Sequence, residues 1–383
     1  MYPLFKVYVP VNEALNEIKT VFESGYINEG IQVSKFKDLL SEYLNEQNLV
    51  LTNSCTSALT IALKVAGVNS DSEVITTPMT CVATNTPILN LGAKIVWADI
   101  DPTSGSISAK DVMKKITSRT RAIVYVDWAG NPAEIEKLHE IGKSHGIKVI
   151  QDAAHAFGAK WNGKSVSKVA DFTCYSFQAI KHLSTGDGGL LVCSDPADFE
   201  LAKKLKWFGY DRDATKDEKG EWKGQRWDAD IEDGEVGYKF NMNNINASIG
   251  ISQMKHIDWI LNKHKQNASI YIEAFKDFEL LTNLSLPSKA ESSHWIFTVL
   301  VKLSEVKRNL LLEKLNLIGI GAGLVHLPND IYSAFKSFNT ELPGVRIFSS
   351  SQISIPCGWW LEEKDCYFIA DNVKKLITEL GSK

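Results

Sequence analysis

A lysine among hydroxyls and glycines, an aspartate closing an apolar run and a hydroxyl-rich helix start are the features of this sequence best suited to chemistry. The lysine is Lys181, set between Ser176-Phe177-Gln178-Ala179-Ile180 and His182-Leu183-Ser184-Thr185-Gly186-Asp187-Gly188-Gly189. It follows a run at 171–176 that reads as a buried strand, and loops at such strand ends face the ligand crevice of α/β proteins. Partial burial there would lower the amine's pKa and suit it to Schiff-base chemistry. An ordinary solvated loop lysine is the plain alternative. Asp152, in Gln151-Asp152-Ala153-Ala154-His155, closes another apolar run and is followed by small residues that leave room for a flat ring. A buried carboxylate needs a cationic partner; a protonated pyridine nitrogen would serve, and so would an Arg or Lys of the fold. His155 could donate to a ring oxygen or be a structural histidine. Ser54-Cys55-Thr56-Ser57 offers hydroxyls and amides at a helix start, where a phosphate binds well, although Ser54 and Thr56 are equally good N-caps. Ser176 could add a further hydroxyl.

The order is more specific than any one member. A hydroxyl-rich helix start, then a strand-end Asp, then a strand-end Lys 29 positions later, gives phosphate, ring nitrogen and aldehyde of pyridoxal phosphate (PLP) a partner each.

The elements that must position these groups follow from periodicity. Helices are expected at 11–23 and 34–44, then strands at 49–53, 73–77, 93–98, 122–126 and 147–151 alternating with helices, the signature of a doubly wound sheet over roughly 48–240. The charge-mixed stretch 213–234 reads as a long lid or interface loop, anchored by Trp222 and Trp227. A single long helix is expected from Asn244 to Phe275. The remainder reads as α+β, with strands at 295–301, 323–326 and 353–355 and a terminal helix at 365–380.

Composition narrows the class. With 383 residues and 44% apolar residues the chain can build two domains. A net charge of -4, with both signs spread along the chain, speaks against nucleic-acid and membrane partners. The six scattered cysteines form no CxxC pair, which suits reduced, packed thiols and no metal site. Met1–Lys6 lacks the basic start and apolar core of a signal peptide, so a soluble, cytoplasmic protein is expected.

The chain resembles the DegT/DnrJ/StrS-type nucleotide-sugar aminotransferases, PLP enzymes of the aspartate aminotransferase fold. The matching pieces are Asn28-Glu29-Gly30, Ser54-Cys55-Thr56, Thr80-Cys81-Val82-Ala83-Thr84, Asp152-Ala153-Ala154-His155, Ser176-Phe177 with Lys181, Thr185-Gly186-Asp187-Gly188-Gly189, and Gly237-Tyr238-Lys239-Phe240 with Met242 and Asn244. The resemblance implies an α/β fold: a large PLP-binding domain, 1–245, with a mostly parallel seven-stranded sheet wrapped by helices, and a smaller C-terminal α+β domain, 246–383. It gives Lys181 the catalytic imine, Asp152 the pyridinium nitrogen, and His155 a place by the ring hydroxyl. It gives the phosphate to Thr56, the Cys55 and Thr56 amides, and Ser176, to which the helix-start reading above adds Ser54. Lys239 stands where the family has an asparagine that reaches the partner's cofactor in a homodimer. Cys81 stands where a stacking aromatic is common, Cys55 where glycine is usual, Asp187 for glutamate, and Asp127 for histidine. The implied reaction moves an amino group from L-glutamate to a keto group at C3 or C4 of a nucleotide-linked 6-deoxy sugar, for amino-sugar and polysaccharide biosynthesis. Lys160, Arg212 and Arg226 are candidates for the substrate diphosphate. Two alternatives remain on the sequence: a 3-dehydratase, whose relatives carry histidine for the lysine, and a non-catalytic PLP-fold regulator.

Overall fold

The computed structural model describes residues 1–211, 231 and 236–382. Its strands, in chain order, are β1 (Leu49–Thr52), β2 (Glu73–Thr76), β3 (Lys94–Trp97), β4 (Thr120–Val126), β5 (Lys148–Asp152), β6 (Lys160–Trp161), β7 (Lys164–Ser165), β8 (Phe172–Ser176), β9 (Gly189–Cys193), β10 (Leu281–Asn283), β11 (Ala290–Glu291), β12 (Phe297–Val301) and β13 (Gln352–Ile355). Seven form one sheet in the order β1-β9-β8-β5-β4-β2-β3. All its pairings are parallel except those of β9, which runs against both β8 and β1.

Successive strand residues point to opposite faces, and here both faces are covered. Ile123 and Tyr125 of β4 enter one apolar cluster with Phe36 and Leu51, while Ala122 and Val124 enter another with Leu59 and Trp97. Two-sided burial is why these strands read as continuous apolar runs. A third cluster, around the β10-β12-β13 sheet and helices 257–275, 305–317 and 363–381, forms the core of the C-terminal part.

Three expectations are corrected. The helix foreseen from Asn244 to Phe275 is two helices, Asn244–Met254 and Ile257–Phe275. The run at 323–326 is no strand; only Gly323 makes a bridge, to Ser354. Strand β12 starts at Phe297, two residues later than expected, because 292–296 is drawn into loop contacts: Ser293 N donates to the Gly130 carbonyl and Trp295 Nε1 to the Ile180 carbonyl. The stretch 213–234, with Trp222 and Trp227, lies outside the described residues apart from Ile231. Among the described residues no helix is long and apolar enough to cross a membrane.

Candidate active site

Strands β5, β8 and β1 deliver their last residues to the same edge of the sheet. Asp152 ends β5 and Ser176 ends β8, while β1 leads through Asn53 to Ser54, the N-cap of helix Cys55–Val65. Gly189 joins them, pairing with Ser176 on one side and Thr52 on the other. A Cβ at Gly189 would lie 2.4 Å from the Ser54 carbonyl carbon, so a residue without a side chain is what lets the helix start sit against the sheet. The Ser54 hydroxyl accepts from the Ser57 amide at 3.1 Å. The Cys55 and Thr56 amides, at the first turn, have no intrahelical acceptor, and point the helix's positive end into the site.

Asp152 is 3% exposed. Its Oδ2 accepts from Thr84 Oγ1 at 2.7 Å and its Oδ1 from the Ala154 amide at 3.0 Å, with the Cys55 thiol 4.0 Å from Oδ1. Burial pushes its pKa up against the pull of these hydrogen bonds and of the Lys181 charge. Among the described residues it has no ion pair.

Lys181, partly buried in the turn after β8, is pushed down to about 8 by burial, with Asp152 opposing the shift. At that value about a tenth of the amine is unprotonated at neutral pH, far more than for an ordinary lysine, which is what a nucleophile and base needs. His155, nearly sealed, has its Nε2 3.4 Å from His326 Nε2 and, among the described residues, no partner for its buried Nδ1. Burial, then the Lys181 charge, holds it well below the usual imidazole range, so it is neutral. His182 is fixed elsewhere: its Nε2 bonds to the Ser293 carbonyl and its ring packs edge-on against His264.

The structure thus brings together Ser54, Cys55, Thr56, Asp152, His155, Ser176 and Lys181. Cys81, the N-cap residue of helix Val82–Asn90, is electrostatically coupled to both Lys181 and Cys55. Lys239 engages a different set within the chain, with its ammonium 4.0 Å above the Trp207 ring and bonded to Asn241 Oδ1. Lys160 is an exposed residue of the small β11-β6-β7 sheet, and Arg212 and Arg226 lie outside the described residues. Asp127 is buried; it accepts from the Ala133 amide at 3.0 Å and Gln151 Nε2 at 2.7 Å, which assigns it a structural part in the loop after β4.

Four residues with no earlier role stand out. Thr84 orients Asp152 and was visible only as part of a matching motif. Trp295 and His326 flank His155 and Lys181 from segments more than 110 positions downstream of Lys181. Asn329 accepts from Asn85 Nδ2 on its Oδ1 and donates from its Nδ2 to the Thr80 carbonyl, each at 2.8 Å, tying the C-terminal part to the loop carrying Cys81.

The donor set fits PLP. An unpaired buried carboxylate suits a pyridinium nitrogen, the orphaned His155 Nδ1 suits a ring substituent, and the helix start suits a phosphate.

A sequence model of the DegT/DnrJ/EryC1/StrS aminotransferase family matches residues 10–374. The UDP-4-amino-4,6-dideoxy-N-acetyl-beta-L-altrosamine transaminase of Campylobacter jejuni is 29% identical over 92% of this chain and 91% of its own. Crystal structures of the sugar aminotransferase CalS13 from Micromonospora echinospora and of AtS13 from Actinomadura melliaura superpose with TM-scores of 0.90 each. CalS13 is 30% identical over 98% of this chain and 100% of its own, and AtS13 34% identical over 98% of both.

Proposed function

Because this chain belongs to the DegT/DnrJ/EryC1/StrS aminotransferase family, and is thereby a PLP-dependent sugar aminotransferase, we propose that Lys181 is its catalytic amine and that L-glutamate is its amino donor. The acceptor is the keto group of a nucleotide-linked 3- or 4-keto-6-deoxy sugar. The name of the Campylobacter relative, a transaminase of a UDP-linked 4-amino-4,6-dideoxy sugar, supports C4. The observation that carries the reading is a lysine with a depressed pKa beside a buried carboxylate that has no ion pair among the described residues.

When bound, PLP supplies an electron sink for the carbon that exchanges its proton. The chain's own residues do the rest. Asp152, aimed by Thr84 and the Ala154 amide, holds a positive charge at the ring nitrogen. Ser54, Cys55, Thr56 and Ser176 hold the phosphate at the helix start, and neutral His155 offers a proton to the ring hydroxyl. Lys181 Nζ would take the proton from the donor carbon, hold it and deliver it to the cofactor carbon that bears the nitrogen, and would move a proton the opposite way when the sugar is aminated.

In this reading residues 1–245 carry the cofactor and 246–383 form the smaller part, and the enzyme works in the cytoplasm as a homodimer. Val11, Leu15, Phe22 and Ile31 are all more than half exposed on two consecutive N-terminal helices, which supports a second copy covering them. Lys239 would then reach the partner's phosphate.

The test supplies PLP, 15N-labelled glutamate and a panel of nucleotide-linked 3-keto and 4-keto 6-deoxy sugars. Mass spectrometry should find the label in the 4-amino product formed from the 4-keto sugars. Transfer to 3-keto sugars alone would move the assignment to C3, and no transfer to any of them would overturn the reading.

A further inference from the structure

The side chain closest to the Lys181 ammonium face-on is one to which neither the motifs nor the family likeness assigns a part. Lys181 Nζ lies 3.8 Å from the centroid of the Trp295 ring. Trp295 is 3% exposed, and its indole N–H donates to the Ile180 carbonyl at 2.8 Å, so the ring is tied to the backbone one residue before the lysine. His155 stacks on it with centroids 4.0 Å apart and planes 16° from parallel. Phe5, from the N-terminal arm, stacks at 4.9 Å and 28°. Three distant segments therefore fix one indole, and that indole offers its face to the lysine.

An aromatic face carries negative quadrupolar charge, and its attraction for an ammonium grows as water is excluded. Trp295 is fully packed, so the contact falls in the desolvated regime. The other titratable groups coupled to the same nitrogen are Asp152, the thiols of Cys55 and Cys81, and the imidazoles of His155, His182 and His326. The imidazoles are neutral, and Asp152 is committed to the cofactor's ring nitrogen on the functional reading. That leaves the indole as the partner the ammonium can keep throughout.

We infer that Trp295 is a positioning residue whose face seats the Lys181 ammonium whenever that amine is unbonded, holding Nζ at the reaction centre between its two proton transfers. The inference rests on the proposed role of Lys181. A one-carbon swing away from the ring would place the nitrogen out of line with the carbon it must serve, and misplacement on that scale is costly in rate.

The test reads Lys181 itself in the full-length, cofactor-free protein. Trace acylation with an anhydride across pH 6–11, with each lysine quantified by mass spectrometry, gives the titration midpoint of Lys181, and surface lysines serve as internal references. Because the ring favours the charged form, Trp295→Leu should lower the Lys181 midpoint by about one pH unit. Trp295→Phe, which keeps an aromatic face and the neighbouring stacks, should restore at least half of that shift. A Leu variant whose midpoint stays or rises, or a Phe variant that falls as far as Leu, overturns the inference. Covalent PLP capture at Lys181 in the wild-type protein is measured alongside. Its absence would sink the functional reading and the proton-transfer part of this inference, leaving only the seating contact to the midpoint shift, whereas capture with an unmoved midpoint would sink the Trp295 assignment alone.

Discussion

Asp127 makes the stability of this protein depend on pH in a calculable way. It is 0% exposed, and burial pushes it up to about 7 from 3.8, against two hydrogen bonds from the Ala133 amide and Gln151 Nε2. A carboxyl whose folded pKa is raised contributes stability in its protonated form, present below the unfolded pKa and lost as pH rises through the folded one. With those two values, the loss from this one group between pH 5 and pH 8 is on the order of 2–3 kcal/mol. Asp127→Asn removes the titration but keeps the shape. The Asn Oδ1 can accept from the Ala133 amide, and the Gln151 amide can flip to accept from the new Nδ2. The Thr173 hydroxyl, which now donates to Gln151 Oε1 at 2.8 Å, can then accept instead, so each of the three contacts keeps one hydrogen bond. Urea unfolding of both proteins at pH 5, 6, 7 and 8 should show the variant gaining on wild type by roughly 2–3 kcal/mol across that span. All other titrations cancel in the difference. A difference that stays flat with pH, or that falls, refutes the argument.

Two further outcomes are expected. Thr84→Val removes a donor to a charged oxygen and should weaken PLP binding about tenfold or more in an absorbance titration, with the fold unchanged by circular dichroism. If each site is completed by the partner's Lys239, mixing inactive Lys181→Ala and Lys239→Ala subunits should restore up to about a quarter of wild-type activity, because half of the dimers are mixed and each of those has one intact site; no recovery would count against shared sites.

The sequence made Asp152, Lys181 and the Ser54–Thr56 helix start legible because each sits at the end of a strongly apolar run, where strand position and ligand crevice coincide. What it hid was tertiary. Trp295 reaches Lys181 across 114 positions, and His326 reaches His155 across 171; no local period encodes such contacts. Thr84 lies one helical turn beyond Thr80, whose hydroxyl it meets at 2.8 Å, but its aim at Asp152 depends on how helix Val82–Asn90 seats against β5. The break at Lys255–His256 was invisible because apolar residues continue through it, with Met254 and Ile257 on either side. The short 323–326 run failed as a strand because only one of its residues finds a bridging partner.

The central claim is that Lys181 is the amine that bonds PLP and moves the proton. Purified protein reconstituted with PLP should show a visible absorbance band that glutamate bleaches. Borohydride reduction before glutamate addition should then leave the pyridoxyl mass on the peptide containing Lys181, and Lys181→Ala should bind PLP without that mark and without turnover. A mark on another lysine, or a Lys181→Ala protein that still transfers amino groups, would contradict the account.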